Sequence, residues 1–138
     1  MLTQTTRYGF STAVALPYEA AVARTREELA KEGFGVLTEI DVRATLKKKL
    51  DVEFRPYVIL GACNPPFAYQ ALQAEREIGL LLPCNVIVYE ADDAGTSVVA
   101  AMDPEAALQL AANESIANVA TEVKTRLERA LRRVAGEE

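Results

Sequence analysis

Residues 5–16 alternate with a period of two. Tyr8, Phe10, Thr12, Val14 and Leu16 fall on one face, and Arg7, Gly9, Ser11, Ala13 and Ala15 on the other. That spacing predicts a first strand. Pro17 stops it and suits the first position of a helix, where its missing N–H costs nothing. The period then becomes helical. Tyr18, Ala21, Val22, Thr25 and Leu29 form one stripe, while Glu19, Arg24, Glu27, Glu28 and Lys31 are expected to face solvent. Gly33 supplies the left-handed stop. Residues 36–42 alternate again, with Val36, Thr38, Ile40 and Val42 on one side and Leu37, Glu39 and Asp41 on the other, which predicts a second strand.

Residues 43–50 read as a short helix containing Lys47-Lys48-Lys49, a run that ordinarily marks a solvated face. Pro56 keeps Arg55 extended. Residues 57–63 are nearly all apolar and few in number, which suits a strand buried on both faces. Asn64-Pro65-Pro66 is a helix start, with asparagine at the N-cap and proline in the first turn. Phe67, Ala68, Ala71 and Leu72 give that helix its apolar stripe as far as about residue 75. Residues 76–79 predict a turn, 84–89 a core strand, 91–95 a turn and 96–101 a strand pairing back as a hairpin.

Asp103-Pro104-Glu105 repeats the helix-start pattern, residues 106–112 read as helical, and Asn113 breaks or recaps the segment. Residues 114–134 form the longest amphipathic stretch. Ile116, Val119, Ala120, Val123, Leu127, Ala130, Leu131 and Val134 mark its buried face. The order β-α-β-(α)-β-α-β-β-α defines an α+β chain, expected as a single domain over residues 1–138. A mostly antiparallel sheet should carry the two long helices on one face.

Composition changes this picture mainly by exclusion. A chain of 138 residues, half of them apolar, can bury a core without a metal or disulfide staple. Its net charge of −5 argues against a nucleic-acid partner, which calls for clustered basic residues. No apolar run reaches the roughly 20 residues that span a bilayer, and residues 1–7 lack the pattern of a secretory signal. The expectation is a cytoplasmic protein with no membrane partner, in which two cysteines are thiols. Histidine is absent, which removes Ser-His-Asp and Cys-His catalysis, histidine metal ligands and a histidine pH switch.

The candidate chemistry centres on residues 60–89, which hold both cysteines, Cys63 and Cys84, each followed by an asparagine, Asn64 and Asn85. Cys63 directly precedes a helix start. Free N–H groups and the positive dipole end there favour an anion, so a lowered thiol pKa is expected. Asn64 would add a side-chain donor to a bound anion unless it caps the helix. If the two cysteine-bearing strands are antiparallel neighbours, the thiols meet at one edge of the sheet. Against this stands simple packing, since free cysteine is among the most buried residue types. Two cysteines twenty-one residues apart make no recognised metal pattern, so no metal and no cofactor is expected. Glu39 and Asp41 share a strand face and read either as paired carboxylates or as a wet strand edge. Arg55 reads as an anion clamp or an ordinary surface ion pair. Gly33-Phe34-Gly35 lacks the rest of a phosphate-binding loop.

Three blocks carry a family resemblance: Phe34-Gly35-Val36-Leu37-Thr38-Glu39-Ile40-Asp41-Val42, Tyr57-Val58-Ile59-Leu60-Gly61-Ala62-Cys63-Asn64-Pro65, and Glu77-Ile78-Gly79-Leu80-Leu81-Leu82-Pro83-Cys84-Asn85-Val86. Through them the chain resembles the bacterial and archaeal domain of unknown function numbered 302. The resemblance implies a curved antiparallel sheet like that of the TATA-box-binding protein, and a homodimer. It implies no catalytic residue and no DNA binding, because fold does not carry function. The reading is therefore a small homodimeric ligand-binding or accessory domain with a small-molecule ligand. The alternative is a thiol-dependent redox or sulfur-transfer protein using Cys63 as nucleophile and Cys84 as resolving thiol. A further possibility is a metal site completed across a dimer by thiols and carboxylates.

Overall fold

The computed structural model describes residues 1–137. In chain order it contains β1 (Gly9–Val14), α1 (Tyr18–Lys31), β2 (Gly35–Asp41), α2 (Val42–Leu50), β3 (Tyr57–Cys63), α3 (Pro65–Ala74), β4 (Cys84–Glu90), β5 (Ser97–Met102), α4 (Pro104–Leu108) and α5 (Glu114–Val134). Short 3-10 turns cover Arg76–Leu81 and Gln109–Ala111. The strands form one antiparallel sheet in the order β1-β5-β4-β3-β2.

Strand alternation divides the sheet into two faces of different character. Phe10, Val14, Val58, Leu60, Val86, Val88, Val99 and Ala101 point to one side and are buried. They share a core with Ala21 and Leu29 of α1 and with Ile116, Leu127 and Leu131 of α5. Each fully buried Leu, Ile or Val contributes about 1.5–3 kcal/mol by leaving water, so this layer holds the helices on the sheet. All eight residues of the expected α5 stripe are buried. On the opposite face the register aligns Ser11, Ala100, Ile87, Ile59 and Ile40 in one row across all five strands. The first four are half-buried and Ile40 is exposed, and none is charged.

Three helix starts are capped by their own local sequence. Asp41 accepts from Ala44 N–H, Asp103 from Glu105 and Ala106 N–H, and Asn113 from Ser115 and Ile116 N–H. Gly33 adopts φ +88°, the left-handed stop expected after α1. Lys124 of α5 reaches Asp103 at 2.9 Å and Glu105 at 3.1 Å, tying the start of α4 to α5.

Three sequence expectations need correction. β1 begins at Gly9, not residue 5, because Thr3 folds back to bridge Ser11 and the segment between them does not continue the ladder. Residues 76–79 lie within a 3-10 turn. Glu28, expected on the wet face of α1, is 5% exposed, with Oε1 held by Lys31 at 2.7 Å.

Beside it, Glu32 is also 5% exposed. It accepts from Arg129 at 2.7 Å and from Arg133 at 2.6 Å, both on α5. These guanidinium groups hold its carboxyl below the usual range, against the opposing effect of burial. A carboxylate at a helix C-terminus opposes the dipole, and this one stays because α5 delivers two cations one turn apart.

Candidate cavity at the end of the sheet

The C-terminal end of β3 and the N-terminal end of β4 lie side by side, with Ala62 opposite Cys84 and Gly61 opposite Asn85. Twenty residues connect the two strands, and this segment folds as α3 and the following 3-10 turn. It does not close tightly over the core. Between it, the strand ends and α5 lies a cavity of about 320 Å³. Ala68, Ala71 and Phe67 line it from α3, Val119 and Val123 from α5, Leu108 from α4, and Phe34, Leu82 and Pro83 from the connecting segments. Leu37, Thr38, Leu72 and Gly79 are exposed lining residues and mark its mouth. The small side chains of Ala68 and Ala71 leave the space.

Both cysteines line this cavity as free thiols. The expected neighbouring strands are present, and β3 and β4 are interior strands, so the thiols lie at one end of the sheet and not at its edge. Cys84 pairs in register with Ala62, and Cys63 sits one residue further along, opposite Gly35. No disulfide joins them.

The expected lowering of the Cys63 pKa is reversed. Burial pushes the Cys63 thiol up, and burial together with the nearby Cys63 pushes Cys84 up to about 11. The helix start explains why no compensation arrives. Pro65 and Pro66 occupy the first two positions of α3 and carry no N–H, so two of the usual anion-binding donors are missing. The same prolines that announce the helix disarm its N-terminus.

Asn64 also departs from its expected role. It occupies the N-cap position, yet its side chain makes no capping hydrogen bond. Its Nδ2 donates instead to the Glu32 carbonyl at 3.0 Å, joining the start of α3 to the end of α1. One of its two N–H donors is therefore occupied by the fold, and no capping bond uses the side-chain oxygen.

The other candidates are placed apart from the cavity. Glu39 pairs with Arg26 at 2.8 Å, and Asp41 caps α2, so the two carboxylates do not act as a pair. Burial and then Asp41 and Glu39 raise the pKa of Tyr18. Arg55 donates to the Glu90 carbonyl at 3.0 Å and meets Asp92 at 2.9 Å, fastening the turn between β4 and β5. Asn85 is exposed and lines a groove on the opposite sheet face, with Tyr8, Tyr57, Ile87 and Tyr89. There the rings of Tyr57 and Tyr89 stack at 5.4 Å and 9°. The described residues hold no group of three or more Cys, Asp or Glu placed to share a metal ion. None of the described helices is long and apolar enough to cross a membrane.

Gly61 fixes how the strand ends approach. A Cβ there would collide with Thr38 Oγ1 and lie 2.9 Å from Pro83 Cγ. Its absence lets β2 and the Leu82-Pro83 segment close on β3 beside the cavity.

Fold and cavity together define an α+β domain with five antiparallel strands, a layer of helices and an apolar recess at one sheet end. The chain belongs to the DUF302 family, a domain of unknown function, whose pattern matches residues 10–134. It is similar to an uncharacterized conserved DUF302 protein from Bacillus stearothermophilus whose crystal structure is known. The two share 29% identity and superpose with a TM-score of 0.83, over 91% of this chain and 96% of the other. No curated protein matches the chain.

Proposed function

We propose that this protein binds a small apolar molecule in the cavity between the sheet end, α3 and α5. The carrying observation is a recess of about 320 Å³ lined almost wholly by apolar side chains. Ligand sites commonly occupy about 300–1,000 Å³ and combine apolar walls with few polar groups. The connection over the cavity is made of α3 and a 3-10 turn with exposed Tyr69, Leu72 and Leu80. Such a segment opens more readily than the strands beneath it. Thermal denaturation with and without indene tests the reading. Wild type should gain stability on adding ligand, as any molecule that binds only the folded state requires. Ala71→Leu, which fills the recess, should not respond. Equal responses in both proteins would remove the proposal.

A second copy of the chain is proposed as the partner. The sheet face opposite the core supports it, because Ile40, Ile59, Ile87 and Ala100 lie in one uncharged row with Tyr8, Tyr57 and Tyr89 nearby. Five strands about 4.8 Å apart and about 20 Å long span roughly 480 Å² in plan, more than half of the roughly 800 Å² per partner that a dimer buries. Sedimentation of wild type and Ile87→Lys distinguishes the outcomes: a dimer converted to monomer supports the face, and a monomeric wild type excludes it. The kinship of this sheet with that of the TATA-box-binding protein belongs to the same proposal and brings no nucleic-acid claim.

Thiol chemistry is the second reading, favoured by the position of Cys63 and Cys84 in the lining of one cavity. The upward pKa of both thiols weighs against it, since the thiolate is the nucleophile.

A further inference from the structure

We propose that the cavity selects a neutral, bicycle-sized apolar molecule carrying one hydrogen-bond donor, and that Asn64 Oδ1 receives that donor. This inference rests on reading the cavity as a ligand site and specifies what enters it.

Charge comes first. No Asp, Glu, Lys or Arg lines the cavity. An ion placed there would lose its hydration without gaining a partner. One cation approaches from outside: Arg126 lies 5.2 Å from the Phe67 ring centroid. Its Nε is held by Glu122 at 3.1 Å and its Nη1 by the Glu32 carbonyl at 3.4 Å. It is engaged with the fold and paired with a carboxylate, so a ligand carboxylate has no free cation to meet.

Size comes next. The recess holds about 320 Å³, roughly twice the 150 Å³ that admits benzene in an engineered apolar cavity. A fused bicycle suits that space.

The polar complement is set by Asn64. Its residue exposure is 7%, and it lines the cavity. The Glu32 carbonyl can only accept, so the nitrogen of the amide must face it, which fixes the side-chain orientation. Oδ1 is left with no hydrogen bond among the described residues. Glu28 Oε2 is the one fully enclosed side-chain N or O atom without a partner among them. Oδ1, unpartnered but not enclosed by protein, therefore borders open space, and because Asn64 is a lining residue of the cavity we place that acceptor on the cavity side. Leaving an acceptor dry is unfavourable, so a ligand N–H or O–H is preferred over a purely hydrocarbon surface. The thiols of Cys63 and Cys84 are weak donors and do not replace it. Thr38 is an exposed lining residue whose hydroxyl lies against Gly61.

The test is an amide-resolved NMR titration of the wild-type protein with indole, 1-methylindole, indene and indole-2-carboxylate, repeated on Ala71→Leu. Indole should bind about three- to ten-fold more tightly than indene or 1-methylindole, the range of one added hydrogen bond. Indole-2-carboxylate should be the weakest of the four, and Ala71→Leu should lose all binding. Equal binding of indole, 1-methylindole and indene, all abolished by Ala71→Leu, would overturn the donor inference and leave the ligand site standing. Tightest binding of the carboxylate would also overturn it. Binding of none would remove both proposals. The comparison varies the ligand, so it does not depend on an Asn64 variant folding.

Discussion

Cys84 faces Ala62 across the β3–β4 ladder, and Cys63 lies one position beyond that pair. The two thiols border one cavity without forming a disulfide, and both are held protonated by burial. Raised pKa values leave both with less thiolate at neutral pH than an ordinary cysteine carries.

Thiol labelling should reflect this. With iodoacetamide at pH 7.5, Cys63 should react more slowly than a free thiol, and Cys84, whose pKa is pushed up to about 11, should react more slowly still. Both rates should rise as pH increases toward the raised pKa values. Mass-spectrometric counting on wild type and Cys63→Ser measures each site. Fast neutral-pH alkylation of Cys63, or disulfide formation under mild oxidant, would revive the thiol reading.

Glu32 anchors the end of α1 to α5 through Arg129 and Arg133. Glu32→Gln should lower stability at pH 7 by about 2 kcal/mol, since hydrogen bonds to charged groups contribute about 1.5–3 kcal/mol and partly wet guanidinium groups are screened. The pH dependence has a definite sign. The folded pKa lies below the unfolded value, so the stabilisation is fully present above the unfolded value and is lost as pH falls through the folded one. Urea melts between pH 7 and pH 3 should show wild type losing more stability than Glu32→Gln. Parallel profiles would mean that the carboxylate is not preferentially stabilised in the fold.

Gly61→Ala should destabilise by about 1–3 kcal/mol through overpacking, because the new Cβ meets Thr38 Oγ1 and Pro83 Cγ. Thr38→Ala should recover part of that loss and not all, since the 2.9 Å approach to Pro83 remains. A double-mutant cycle measures the coupling. Additive effects would show that Thr38 and Gly61 do not constrain one another.

Much of the architecture is local in origin and so was readable from the chain. The bounds of β3 follow from a short apolar run ended by Asn64-Pro65, and the buried face of α5 follows from its helical spacing. Glu28 and Glu32 were not readable in the same way, because their burial depends on which residues α5 brings across. The one available sign was a carboxylate placed unfavourably at the end of α1. At the site, the residues were the right ones but their chemistry was inverted. Asn64-Pro65-Pro66 looked like an anion-binding helix start, whereas the prolines remove two of its donors and the Glu32 carbonyl takes one of the asparagine's. The cavity had no linear signature, since its walls come from segments more than eighty residues apart, Phe34 and Val123 among them.

The central claim is that the recess beneath α3 is the binding site, and the direct measurement is to locate where an apolar probe binds. In a titration of the wild-type protein with indene, amide resonances of Ala62, Ala71, Val119 and Val123 should shift and saturate together. Those of Ile87 and Val98, on the opposite sheet face, should stay in place. Saturable shifts confined to Ile87 and Val98, or no saturable shift at all, would contradict the account.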